Sequence, residues 1–331
     1  MIKVLSLFSG IGAFERAFCR IGLDWELVNY CEIDRWASLS YSMVNQCDES
    51  LNLRDVRTVT AETVRDRQVD LITYGFPCQD ISIAGKQRGF VNDSGESTRS
   101  GLFFEAMRII KELRPRYAIA ENVKALTSKK FKNEFDVVLN SLNDAGYNNY
   151  YSVLNAKDYG IPQNRERVFI VSIRKDIDTH EFTFPDKLPL TKTLKDMLEP
   201  KVDEKYYINN ERAKNLIGQI KSRYIITEST PVDGTILEPR AKEVCNCITA
   251  RYDAGIQNQK SIGCMVIECN PELRIRKLTP KECFRLMGFL DEEFDRVHGI
   301  SNSQLYKQAG NSIVVNVLSA LLSQLFYKEL V

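Results

Sequence analysis

Net charge, histidine and long apolar runs are all scarce in this chain. Its 331 residues carry 45 lysines and arginines against 44 aspartates and glutamates, a formal charge of +1, so charge as a whole gives no argument for a nucleic-acid partner. Only two histidines accompany nine cysteines. An odd cysteine count without regular spacing speaks against a disulfide framework and for a reducing, intracellular setting. No uninterrupted apolar stretch approaches the roughly 18 residues of a membrane span. The opening Met1–Phe8 reaches Gly10 too soon for an exported leader and reads as a first strand. What is present, 44% hydrophobic and 27% charged residues, is the composition of an ordinary globular chain long enough for a large core and a second, smaller lobe.

The order of apolar runs predicts an α/β fold. Strands are expected at 3–8, 27–31, 69–74, 117–120, 151–154 and 168–173, with helices at 101–113 and 131–144 between them. Such alternation implies a mostly parallel, Rossmann-like sheet with its functional groups beyond the carboxyl ends of the strands. After residue 174 the pattern changes. Residues 175–275 are richer in turns, with short β-like runs at 222–226 and 264–268, and read as a separate, irregular lobe. Residues 276–331 then return to the first domain through a helix at 314–327. Locally, residues 240–277 hold seven basic side chains against four acidic ones, a weak sign of a nucleic-acid surface that a solvated face explains equally well.

Two clusters carry chemistry. In the first, Gly10 and Gly12 follow the first strand, where absent side chains let backbone amides approach a ligand, or simply permit a tight turn. Glu32 follows the second strand, where a carboxylate can accept both hydroxyls of a ribose. Ile33 is placed to touch an adenine face or to be core, and Asp55 to accept from an exocyclic amine or to cap the turn after it.

In the second cluster, Cys78 of Phe76-Pro77-Cys78-Gln79 stands after the strand ending near Tyr74 and before a glycine-bearing polar loop. A cysteine in a turn is ordinarily inert; its partners change that. Glu121 of Glu121-Asn122-Val123 is expected just beyond the end of a neighbouring strand, poised to donate a proton to a ring nitrogen. Arg165 and Arg167 of Gln163-Asn164-Arg165-Glu166-Arg167 precede another strand. One arginine favours a thiolate and another grips a carbonyl oxygen, the latter role falling to Arg167. Together these groups suit methylation of cytosine at carbon-5, an unreactive position until a thiolate adds at carbon-6.

The ordered set resembles the bacterial-type DNA (cytosine-5)-methyltransferase family. The matching blocks are Phe8-Ser9-Gly10-Ile11-Gly12, Glu32, Asp55, Gly75–Gln79, Glu121–Val123, Gln163–Phe169, Leu278–Phe289 and Gly310-Asn311-Ser312, spread over both ends of the chain. The resemblance implies S-adenosylmethionine as methyl donor, leaving S-adenosylhomocysteine, and a cytosine flipped out of double-stranded DNA as acceptor. It adds Phe8, Leu102, Asn311 and Val315 to the cofactor candidates; Ile33 departs from the aromatic residue often found beside adenine. It places Ser82, Ala84, Lys86, Gln87 and Arg88 near DNA on a closing loop, and Thr249 against the DNA backbone, with Arg251 meeting phosphate or guanine. It further implies domains at 1–174, 175–275 and 276–331, and a cytoplasmic bacterial or phage enzyme that acts as a monomer. A cognate restriction endonuclease would be its genetic partner.

Other readings explain less. A zinc site at Cys245, Cys247, Cys264 and Cys269 has unsuitable spacing, so no metal is expected. An RNA cytosine methyltransferase would share the chemistry, but the recognition lobe favours DNA. A nicotinamide oxidoreductase built on Gly10, Gly12 and Glu32 leaves Cys78, Glu121 and Arg167 without a joint purpose.

Overall fold

The computed structural model describes residues 1–77, 99–209, 211–221, 230–232, 243–253, 264–269 and 273–327. Its chain divides into two compact units, 1–154 with 166–186 and 317–331, and 155–165 with 187–316. These boundaries differ from the breaks at 174 and 275 expected from composition: the second unit also takes in a short stretch from the first half of the chain and most of the stretch expected to return to the first domain.

In the first unit, β1 (Ile2–Leu7) is followed by α1 (Ala13–Ile21), β2 (Trp25–Cys31), α2 (Arg35–Asn45), β3 (Leu71–Tyr74), α3 (Phe103–Leu113), β4 (Tyr117–Val123), α4 (Lys132–Asp144) and β5 (Tyr147–Asn155). The short β6 (Gln163–Asn164) belongs to the second unit, and β7 (Glu166–Arg174) returns to the first. The six-stranded sheet has the order β2-β1-β3-β4-β7-β5. Neighbours from β2 through β4 are parallel, whereas β7 runs antiparallel to β4.

β3 is buried at all four positions, which is why it reads as an unbroken apolar run rather than an alternating one. In α3 the buried Phe103, Ala106, Met107 and Ile110 recur at helical spacing. They join Leu5, Leu7, Ile72, Tyr74, Ala118, Ala120 and the α4 residues Phe135, Val138 and Leu142 in one apolar core.

The second unit contains α5 (Glu211–Lys221), β8 (Thr230–Val232), β9 (Cys245–Asn246), β10 (Met265–Cys269), β11 (Leu273–Lys277), α6 (Pro280–Leu286), α7 (Asp291–Asp295) and α8 (Asn302–Asn311). The last helix, α9 (Val315–Phe326), begins here and lies mostly in the first unit. β11, β10 and β8 form an antiparallel sheet over a small core of Ala213, Met265, Ile267 and Ile275. The β-like run expected at 222–226 lies outside the described residues.

Three basic residues of the 240–277 stretch are committed to internal ion pairs. Arg276, fully buried, meets Glu268 at 2.6 Å and Glu282 at 2.9 Å, Lys277 pairs with Asp253 at 2.5 Å, and Arg274 pairs with Glu204. Glu282 also closes a capping box with Thr279 at the start of α6. Much of the local positive charge therefore holds this unit together; Arg251 remains exposed.

Candidate active site

The first cluster is a knot of backbone and carboxylate around the turn after β1. Ser9 bridges β1 and β2, its hydroxyl donating to Ser6 O at 2.8 Å and accepting from Cys31 N at 3.1 Å. Gly10 N donates to Glu32 Oε2 at 2.9 Å, and Asp34 N donates to Glu32 Oε1 at 2.8 Å. Glu32 is thus fixed beside the glycine turn by the backbone on both sides of it.

Asn52 completes the arrangement. Its side chain accepts from Glu32 N and donates to Glu32 O, both at 3.0 Å, and so fixes the backbone that carries the carboxylate. Nothing in the sequence singled it out, because an asparagine in a polar turn has no distinctive spacing.

The backbone here is unusual in two ways. Phe8 has φ +53°, a conformation that costs a bulky residue energy and that clusters at ligand sites. Gly12 has φ +83°, and a Cβ there would lie 2.0 Å from Asn45 Nδ2. A Cβ at Gly10 would meet nothing within 4 Å, so the turn is open on that side. Open backbone, a fixed carboxylate and an Ile33 side chain 67% exposed beside it fit an adenosine-bearing ligand.

Asp55 takes the alternative offered by its sequence. It caps the 3-10 turn at 56–58 and pairs with Arg57 at 2.6 Å, which holds its carboxyl below the usual aspartate range. Leu102 is half-buried against the main core at the start of α3. In the second unit, Asn311 is exposed at the end of α8, whereas Val315 is fully buried with its N–H donated to Met287 O at 2.9 Å.

The second cluster is built by a register. β4 continues past the end of β3: Tyr74 pairs with Ala120, and among the described strands Glu121, Asn122 and Val123 pair with β7 alone. Glu121 therefore lies within a strand rather than beyond one, yet still beyond the carboxyl end of β3. It stands opposite Phe169, and Val123 opposite Arg167, so Glu121 and Arg167 are diagonal neighbours on the same face. Arg167 Nε lies 3.0 Å from Glu121 Oε1, with side chains 18% and 12% exposed. Arg167 also donates from Nη1 to Glu166 O.

Asn122 points to the opposite face and is buried. Its Nδ2 donates to Phe76 O at 3.1 Å, fastening the backbone two residues before Cys78 next to β4. Phe76 is itself buried, 5.4 Å from Phe103 between ring centres. No local pattern marks Asn122 as a contributor, because its partner is a main-chain atom 46 residues away.

Cys78, Ser82, Ala84, Lys86, Gln87 and Arg88 lie outside the described residues. Among the described cysteines, burial pushes the Cys31 thiol up to about 12 and Cys47 up to about 11, and raises Cys245 and Cys283 strongly. Thiols in such surroundings are inert.

Arg165 does not match the catalytic part expected of it. It belongs to the second unit, is 3% exposed, and spends its guanidinium on main-chain oxygens of Ile248, Gly310 and Ser312. Thr249 is half-buried in the same unit, and its hydroxyl oxygen is buried without a hydrogen-bond partner among the described residues.

A family model for C-5 cytosine-specific DNA methylases matches residues 2–327. The chain belongs to that family. It is a DNA (cytosine-5)-methyltransferase. Its sequence is 36% identical to the type II methyltransferase M.Bsp6I of Bacillus sp. (strain RFL6), over 98% of this chain and 99% of that one. It is 30% identical to the orphan methyltransferase M.SPRI of Bacillus phage SPR, over 98% of each. In fold it is similar to a DNMT2 mutant from Spodoptera frugiperda, with a TM-score of 0.76, 23% identity, and coverage of 98% of this chain and 100% of that one. The methyltransferase's mostly parallel sheet and its antiparallel β7 are thus set in a known architecture.

Proposed function

We propose that the enzyme methylates carbon-5 of a cytosine flipped out of double-stranded DNA, through a transient bond between Cys78 and carbon-6. The observation that carries this reading is the Glu121–Arg167 pair, set on β4 and β7 beyond the end of β3, with Asn122 tying down the segment that leads into Cys78.

Cytosine carbon-5 is a weak nucleophile because its electrons are shared with the ring. Attack of the Cys78 thiolate at carbon-6 forms a C–S bond and shifts the carbon-5/carbon-6 electron pair into the ring. Glu121 supplies a proton at N3 to accept that shift, and Arg167 holds the carbonyl oxygen where negative charge collects. Bound S-adenosylmethionine supplies a methyl group on a sulfonium, whose departure leaves a neutral thioether. Carbon-5 would then form its new bond to that methyl, with N3 returning its proton to Glu121; a base removes the proton from carbon-5, and the returning electron pair expels the Cys78 thiolate.

Gly10, Gly12, Glu32 and Ile33 would hold the adenosine part of the donor, Glu32 accepting from the ribose hydroxyls. Asp55, which caps the turn at 56–58, would accept from the exocyclic amine of the adenine. The biological setting is bacterial or phage cytoplasm, with the enzyme acting as a monomer either beside a restriction endonuclease or as an orphan; type II and orphan methyltransferases both occur among its relatives.

The test is incubation with methyl-labelled S-adenosylmethionine and matched DNA and RNA. Label at cytosine carbon-5 in the DNA is expected; label in the RNA alone would overturn the choice of substrate.

A further inference from the structure

Three segments of the second unit converge on one arginine. Arg165 Nη1 donates to Ile248 O at 2.9 Å and to Cys247 Sγ at 3.2 Å. Its Nη2 donates to Gly310 O at 3.0 Å and Ser312 O at 2.7 Å. The planar fork of a guanidinium fixes the angles between everything it binds, which a lysine ammonium cannot do. Arg165 is held in turn by its own backbone, its N–H donating to Asn155 Oδ1 at 3.1 Å and its carbonyl accepting from Ala156 N at 3.1 Å.

Gln163 adds a second fastening. Fully buried, it accepts from Ile248 N at 3.0 Å and donates to Leu286 O at 2.7 Å. The parallel pairing of β6 with β9 joins the same two stretches, with Cys245 N donating to Pro162 O at 2.7 Å. Ile248 thus has its N–H held by Gln163 and its carbonyl by Arg165.

The next residue is Thr249. Its hydroxyl is buried with no partner among the described residues, so no hydrogen bond from it anchors its own segment there. Leaving a buried hydroxyl unpaired is unfavourable, and such groups in native proteins call for a functional explanation. On the other side, Gly310 lies directly against this backbone: a Cβ there would sit 2.1 Å from Ala250 N and 2.4 Å from Thr249 O. Position 310 therefore requires glycine for the 249–250 backbone to keep its place.

We propose that Arg165 and Gln163 are positioning residues that act through Thr249. They set the backbone from which Thr249 grips a DNA strand, with Gly310 supplying the clearance. The proposal rests on the reading of Thr249 as a DNA contact. It gives Arg165 a part in holding substrate rather than in the chemistry at the base, and separates it from Arg167 two residues later.

The test is a double-mutant cycle of Arg165→Lys and Thr249→Val in the full-length enzyme, with unmethylated bacterial genomic DNA as substrate. Each single change is expected to raise KM for DNA by about tenfold while kcat and KM for S-adenosylmethionine stay within about threefold. The double variant is expected to be no worse than the weaker single one, because both changes remove the same grip. Additive losses, or a fall in kcat for Arg165→Lys at unchanged KM for DNA, would overturn the proposal. Should Arg165→Lys fold poorly, Gly310→Ala displaces the same backbone from the other side; a wild-type KM for DNA in that variant would also overturn it. A wild-type enzyme that labels RNA alone would instead remove the DNA reading, before any variant is compared.

Discussion

Arg167 Nε and Glu121 Oε1 lie 3.0 Å apart across two antiparallel strands, and the register alone brings them there. Because Val123 stands opposite Arg167, a shift of β7 by one residue would turn Arg167 to the other face of the sheet. The proposed catalytic pair is thus a product of strand pairing, which in turn depends on the apolar residues Val168 and Ile170 packing into the core.

Glu121→Gln keeps the shape of the side chain and removes its capacity to deliver a proton. A fall in kcat of about 10²–10⁴ is expected. KM for S-adenosylmethionine should change little, since the glycine turn and Glu32 are untouched. Steady-state kinetics on DNA check this; a variant with normal kcat would remove Glu121 from the chemistry.

Glu15 offers a test by pH. It is fully buried in α1, neither carboxylate oxygen has a well-formed hydrogen bond among the described residues, and burial raises its pKa despite the nearby Ser6 and Tyr41. The folded protein therefore holds this proton more tightly than the unfolded chain. Its contribution to stability is full below the ordinary glutamate range and is lost as pH rises from there through the raised folded value. Urea unfolding across pH should show that decline in the wild type and a flatter profile in Glu15→Gln, with the variant the more stable of the two at neutral pH. An unchanged slope would contradict the assignment.

Gly12→Ala should weaken the donor side. The new Cβ would have to displace Asn45, which accepts from Arg16 Nε at 2.8 Å and donates to Tyr41 O at 3.0 Å, and it would do so at φ +83°. A loss of about 1–3 kcal/mol in stability is expected, together with a higher KM for S-adenosylmethionine. Thermal unfolding and kinetics report the two effects separately.

Much of this was legible in the sequence wherever one segment sufficed. The apolar runs that became β1 to β4 and β7, the glycine turn, and Glu32 after β2 all announce themselves locally. Glu121 was harder to place because Glu121-Asn122-Val123 looks like the end of a strand; only pairing with β7 carries β4 onward. Arg165 and Arg167 look equivalent in Arg165-Glu166-Arg167, yet one precedes β7 and binds main-chain oxygens in one unit, while the other lies in β7 and faces a carboxylate in the other. The charge count over 240–277 is incomplete for the same reason, as the carboxylates that meet Arg274 and Arg276 include Glu204 and Glu282, outside the stretch. Contacts of this kind, like those of Asn52, Asn122 and Gln163, depend on partners that a local pattern does not contain.

The most direct measurement is capture of the covalent intermediate on duplex DNA carrying 5-fluorocytosine at the methylated position, where fluorine in place of the carbon-5 hydrogen blocks the final elimination. With S-adenosylmethionine present, the wild-type enzyme should form an adduct that survives denaturing electrophoresis, its mass accounting for protein, DNA strand and one methyl group, and Cys78→Ser should form none. An adduct of undiminished yield from Cys78→Ser would contradict the assignment of Cys78 as the nucleophile.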